Sequence, residues 1–183
     1  MSGRNIPGAA CGYIWLHSPG SAQLIYPTKL LMLDKISKRI LAELQNDGRI
    51  SNVELSTRVC LSPAACLERV RKLHDAGYIL GYMAQLNPNL LDVALLVFVE
   101  VILDRTTPDV FEAFKRGVKA IPQVLECHMV AGGFDYLVKA RVRDMHAYRE
   151  FLGKSLLQLT GVRETHTYAV MEEVKSTTSL PIR

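Results

Sequence analysis

Arg69 and Lys72 carry the clearest chemistry in this sequence, because with Ala65 they recur at i, i+4 and i+7 and so share one stripe of a helix. A guanidinium and an ammonium on one stripe suit phosphate oxygens and base edges. Ala64 and Ala65, in the first turn, are small enough to let the backbone approach a groove wall. Ser62-Pro63 and Ser51 stand where helices begin, and exposed N–H groups at helix N-termini bind phosphate. The candidate contacts to double-stranded DNA are therefore Ser51, Ser62, Pro63, Ala64, Ala65, Arg69 and Lys72. The bland alternative is a helical protein-interaction domain in which Arg69, Arg71 and Lys72 only solvate a surface. Charge alone favours that alternative, and the order of the elements reverses the preference.

Other chemistry finds little support. His74, His128, His146 and His166 lack a Cys, Asp or Glu at a spacing diagnostic of catalysis or metal binding. Cys127 and His128 are neighbours in a strand, so their side chains point to opposite faces. Cys11, Cys60, Cys66 and Cys127 form no C-x-x-C pair, which supports neither a zinc site nor a disulfide framework. Phosphate-loop and dinucleotide motifs are missing. Neither an enzyme nor a cofactor is expected.

The elements that must position these cations are legible from caps and periodicity. Asp34 caps a helix whose buried stripe is Ile36, Ile40, Leu41 and Leu44, with Gly48 suited to a left-handed terminus. Ser51-Asn52-Val53-Glu54 reads as a capping box opening a short helix from Asn52 to Val59. Ser62 and Pro63 open a third helix, Pro63 to Ala76, with Cys66, Val70 and Leu73 inward. Residues 78–82 and 83–86 are expected to pair as a wing. Three helices, two of them tightly linked, followed by a wing make a winged helix-turn-helix over residues 33–86.

From Ala94 the pattern changes. Residues 94–103 read as a buried strand, Thr107-Pro108-Asp109 opens a helix, and residues 123–130 form a second strand closed by Gly132-Gly133. The unit then recurs: a strand at 134–142, a helix capped by Asp144, and a final strand at 162–174. The order β-α-β-β-α-β is ferredoxin-like. The expected class is α+β, with this domain at 94–175, a linker at 87–93 and a tail at 176–183. Helices cover one face of such a sheet, and a second copy is the simplest cover for the other. A homodimer is expected.

The 183 residues are 49% hydrophobic and 22% charged, as in an ordinary globular protein. Net charge is +4. The head, Asp34 to Tyr82, holds eight Lys/Arg against six Asp/Glu, whereas Ala94 to Lys175 balances at eleven of each. Residues 1–32 are expected to be a disordered extension, since Pro7, Pro19 and Pro27 interrupt any signal-peptide core. A reduced, cytoplasmic setting is expected, without a membrane span.

The segments LDKISKRILAELQNDGRISNVELSTRVCLSPAACLERVRKL, AGYILGY, LLVFVEV, ECHMVAGGFDYLVKARV and TYAVMEEVK resemble the Lrp/AsnC family of transcription regulators, over about Leu33 to Pro181. The resemblance implies a DNA-binding head and an effector domain that binds an amino acid such as leucine. It implies dimers that assemble to octamers or larger rings, and activation or repression of genes of amino-acid metabolism. The family's G-x-x-D turn falls on Gly132-Gly133-Phe134-Asp135, with Tyr136 after it. By that resemblance the glycine N–H groups receive the ligand carboxylate and Asp135 its ammonium, with Met145, Tyr168 and Val170 as pocket wall. On residue type alone, Gly132-Gly133 is equally a plain hairpin turn and Asp135 its cap. A second possibility is an architectural protein that wraps DNA without a ligand.

Overall fold

A computed structural model describes residues 33–182; the expected N-terminal extension, with Cys11, lies outside them. The head is built from α1 (Lys35–Asn46), α2 (Asn52–Arg58) and α3 (Pro63–Asp75). Asp34, Ser51 and Ser62 cap the three helices, each accepting a hydrogen bond from the backbone N–H three residues on. Ile40, Leu55, Val59, Cys66, Leu73 and Ile79 form the core between them. The turn from α2 to α3 places Cys60 at φ 57°, a left-handed conformation that glycine usually supplies. Asn52 Nδ2 donates to the Pro63 carbonyl at 2.9 Å and so locks the two helices across that turn.

Three local expectations change. Gly48 is not left-handed, because only Gly77, Gly81 and Gly161 have positive φ among the described glycines. Its reason is space: a Cβ there would stand 3.0 Å from the Tyr82 ring. The capping box is half formed, since the Glu54 carboxylate turns to Arg58 Nη2 at 2.5 Å. Residues 79–87 carry no ladder pairing, so the wing segment is no β-hairpin here. Leu80, Met83 and Leu86 are largely exposed, and two strands with no third layer behind them are marginal in water.

The second domain comprises β1 (Leu95–Leu103), α4 (Pro108–Lys119), β2 (Val124–Met129), β3 (Tyr136–Val142), α5 (Met145–Lys154) and β4 (Val162–Ala169). The sheet order is β2-β3-β1-β4 with antiparallel neighbours, which is the ferredoxin-like arrangement. Val99 faces Val138 and Val97 faces Ala140 across β1 and β3. Alternate residues of these strands enter one core with Val110, Phe114 and Val118 of α4 and Tyr148 and Phe151 of α5. The Tyr148 hydroxyl hydrogen-bonds the Thr167 hydroxyl of β4, so α5 is tied to the sheet edge. The last strand is shorter than the expected 162–174, because the chain leaves the sheet after Val170 donates to the Leu96 carbonyl.

Gly161, before β4, sits at φ 85°, and a Cβ there would come within 2.3 Å of Val110 Cγ1. Gly161→Ala combines left-handed strain with overpacking and is expected to cost about 2–4 kcal/mol. Urea unfolding of the variant, read by circular dichroism, checks this.

Candidate functional site

The solvent face of α3 is the first part of the site. Ser62 Oγ accepts from the Ala65 N–H at 3.3 Å, and Ser51 Oγ accepts from the Glu54 N–H at 3.1 Å. Ala64 and Ala65 are exposed beside them. Lys72 is 72% exposed and Arg71 66%, each with only a distant partner in Glu68, at 3.8 and 3.7 Å. Such pairs in water are weak and leave both cations available.

Arg69 behaves differently. The sequence grouped it with Lys72, yet its Nη1 donates to Asp34 Oδ2 at 2.7 Å and to Ser37 Oγ at 3.3 Å. The stripe explains this: Cys66, Leu73 and half-buried Val70 point inward, and Arg69 lies at the edge of that face, toward α1. Arg71 and Leu67 belong to the open face instead. Periodicity around the buried residues carried that signal, but the i, i+4, i+7 count from Ala65 drew attention to Arg69. In this structure Arg69 ties the start of α1 to the middle of α3.

The second part lies at one end of the sheet. Ile102, Leu103, Asp104, Arg105, Thr106 and Thr107 face the tip Gly132-Gly133-Phe134-Asp135, with Arg163 from β4, around an open depression of about 520 Å³. The tip stands there because Asp135 replaces a rung of the ladder. Its N–H donates to the Val101 carbonyl at 3.0 Å, and its Oδ2 accepts from the Leu103 N–H at 2.7 Å. Gly132 and Gly133 have nothing within 4 Å of the position a Cβ would take. The depression thus holds two guanidiniums, two carboxylates, two threonine hydroxyls and unshielded backbone, groups complementary to a zwitterion.

The other expected pocket residues stand apart from this depression within one chain. Tyr136 is 2% exposed under α4, its ring 4.5 Å from that of Phe114, and its hydroxyl has no hydrogen-bond partner among the described residues. Burial pushes that hydroxyl up to about 12. Tyr168 pairs opposite Phe98, and Val170 follows it, near the other end of β1. Met145 opens α5, which follows β3 at that same far end. Seven residues of strand separate the ends, or roughly 20 Å. Antiparallel reversal is the physical reason that residues grouped by resemblance part here.

Sequence reasoning missed Arg105 and Arg163. The pairing of Leu103 with Val162 is what brings their two strands together at the depression, and pairing register was not read. The histidines stay simple: His128 and His166 are exposed beside Glu126 and Glu164, at 3.2 Å each. Cys127 points into the core while His128 faces out, and burial pushes the Cys127 thiol up to about 11. Among the described residues, no group of three His, Cys, Asp or Glu could hold a metal. No described helix is long and apolar enough to cross a membrane.

Residues 33–79 match the family model for a winged helix-turn-helix DNA-binding domain, and residues 96–180 match that of the Lrp/AsnC ligand binding domain. The leucine-responsive regulatory protein of Escherichia coli strain K12 is 60% identical over 151 residues, covering 82% of this chain and 92% of that protein. The chain belongs to the Lrp/AsnC family. Among solved structures, a transcriptional regulator from Neisseria meningitidis in complex with L-Met is 42% identical, with a TM-score of 0.78 over 81% of this chain and 96% of the other. The leucine response regulatory protein of Mycobacterium tuberculosis is 30% identical, with a TM-score of 0.70 over 82% of this chain and all of the other. Like other Lrp/AsnC proteins, this is a DNA-binding transcription regulator with an amino-acid-binding domain, and its domains are not those of an enzyme.

The Asp34–Arg69 knot makes a prediction about acid. Hydrogen bonds from Ser37, and then from Arg69, lower the Asp34 carboxyl from its ordinary 3.8 to about 2. A lowered folded value means that the cap stabilises fully above the ordinary value and is lost as pH falls through about 2. The Asp34 carboxyl is expected to titrate by carbon-detected NMR near the lower value. In Arg69→Ala it is expected to move only part of the way back, because the Ser37 bonds persist.

Proposed function

We propose that this Lrp/AsnC protein is a leucine-type regulator in which an amino acid at the Gly132–Asp135 tip shifts both assembly and affinity for DNA. The charge layout of the depression supports this most directly. Arg105 and Arg163 suit a carboxylate, and Asp104 and Asp135 suit an ammonium group, while Gly132 and Gly133 leave the approach open. Asp135 serves in two ways on this reading, holding the tip against β1 and adding negative charge to its rim. The name of the 60% identical relative makes leucine the first amino acid to try.

The outer face of the sheet supports self-association. Phe98, Ile102 and Leu137 are only half-buried there and Tyr168 is more than half exposed, an arrangement that a second copy would cover. On this reading a dimer forms across the sheets, and dimers join at the tips to make octamers or larger rings. Met145, Tyr168 and Val170 then reach a ligand only from a neighbouring copy. Binding that favours one assembly over another is sufficient to couple the ligand to DNA.

For the head, we assign DNA contact to Ser51, Ser62, Pro63, Ala64, Ala65 and Lys72, and add Arg71. Arg69 reaches a phosphate only by leaving Asp34. Lys72→Ala and Arg71→Ala are each expected to weaken DNA binding and to lower the salt slope of a mobility-shift titration by about 1. Arg69→Ala is expected to change that slope less, and an equal change would restore it to the contact set.

Gly133→Leu adds a side chain at the rim of the depression, where a Cβ meets nothing within 4 Å. It is expected to abolish leucine binding by calorimetry while thermal unfolding and DNA binding without ligand stay unchanged. Undiminished leucine uptake by that variant would remove the tip from the site. Asp135→Ala, by contrast, leaves the Leu103 N–H unpaired and is expected to destabilise the domain by about 1–3 kcal/mol as well.

A further inference from the structure

The segment after β4 returns to the head, and two anchors hold it. At the first, Arg141 of β3 donates from Nη2 to Glu173 Oε1 at 2.5 Å and from Nη1 to the Ala94 carbonyl at 3.3 Å. The Arg141 side chain is only 15% exposed, so this pair is better shielded from solvent than the other ion pairs described above. One guanidinium thereby grips both the residue that follows the linker and the segment that leaves β4.

The second anchor is on α1. The Leu180 N–H donates to Gln45 Oε1 at 2.6 Å, and Gln45 Nε2 donates back to the Leu180 carbonyl at 3.1 Å. A carboxamide presents one donor and one acceptor in a plane, as a peptide group does, and here it pairs with Leu180 much as a neighbouring strand would. The Leu180 side chain is 73% exposed, so the grip is on the main chain. Gln45 lies in the last turn of α1, three residues before Gly48, on which the Tyr82 ring rests. The same end of α1 is held by the segment leaving the head and by the tail returning to it.

Helix α1 is not an isolated attachment point. Its cap is knotted to α3 through Asp34 and Arg69, and Glu43 accepts from Arg58 of α2 at 2.9 Å. A hold on Gln45 is therefore a hold on the whole head. We propose that residues 170–182 act as a strap, fastened to the sheet at Arg141 and to the head at Gln45, that restricts how the head turns on its linker. Unfastening the strap frees the head to take other angles. Sequence in the strap matters at Glu173, whereas at Leu180 any residue that keeps its N–H suffices.

The test uses the full chain and two measurements. In the unaltered protein the Leu180 amide is expected to exchange hydrogen more slowly than its solvent-exposed neighbours. Gln45→Leu, at an exposed position, is expected to accelerate that exchange on the order of ten-fold, with the thermal midpoint unchanged. Gln45→Leu, Glu173→Gln and a chain ending at Val174 are each expected to speed protease cleavage within residues 83–93, because that linker then opens more often. Replacing Leu180 with Pro, which has no N–H, is expected to match Gln45→Leu, whereas Leu180→Ala is expected to behave as the unaltered chain. Free exchange at Leu180 in the unaltered protein, or cleavage rates unmoved by all of these changes, would overturn the proposal.

Discussion

The register of β1 against β3 is the constraint on which the second domain depends. Val97, Val99, Val101 and Leu103 alternate with residues that face the other way, and Tyr136, Val138, Ala140 and Val142 do the same opposite them. A slip of one residue would turn both apolar sets away from α4 and α5 and bury Glu100, Lys139 and Arg141 in their place. The burial of eight side chains therefore sets the position of the β2–β3 tip to within one residue. The Asp135 carboxylate then completes the ladder where the backbone pairing stops, and the depression follows from that closure. The charge layout at the tip is a consequence of packing several residues away.

The head obeys a different economy. Its core is small, and much of its geometry is set by polar contacts at helix ends: Asp34 with Ser37 and Arg69, Asn52 with the Pro63 carbonyl, and Arg58 between Glu43 and Glu54. These contacts hold three short helices at fixed angles, which a recognition surface needs more than it needs raw stability. They also divide the labour along α3. Arg69 looks back to α1, while Arg71 and Lys72 look out. A single turn of helix separates a residue that shapes the surface from residues that belong to it.

Much of this was legible in the sequence, and the reasons are local. Caps depend on one side chain and an N–H three residues away, so Asp34, Ser51, Ser62 and Asp144 could be recognised without knowing the fold. Alternation in β1 and β3 was equally plain, because one face of the sheet is buried. The lack of strand pairing in the wing was not legible, since the mostly apolar run at 78–86 does not say whether a third layer exists to support a hairpin. Gly48 was assigned to a left-handed terminus when its neighbour across space, Tyr82, is what restricts it. Arg105 and Arg163 were overlooked because their proximity to the tip depends on pairing between β1 and β4. Met145, Tyr168 and Val170 were grouped with a tip that lies at the other end of the sheet, and only strand direction reveals the distance.

The claim that an amino acid binds against the Gly132–Asp135 tip, between Arg105 and Arg163, can be tested by hydrogen exchange across the intact assembly with and without leucine. The account predicts new protection concentrated in residues 102–107 and 130–135, with smaller changes at subunit contacts. Protection centred on another part of the domain, with those two segments unaltered at saturating leucine, would contradict it.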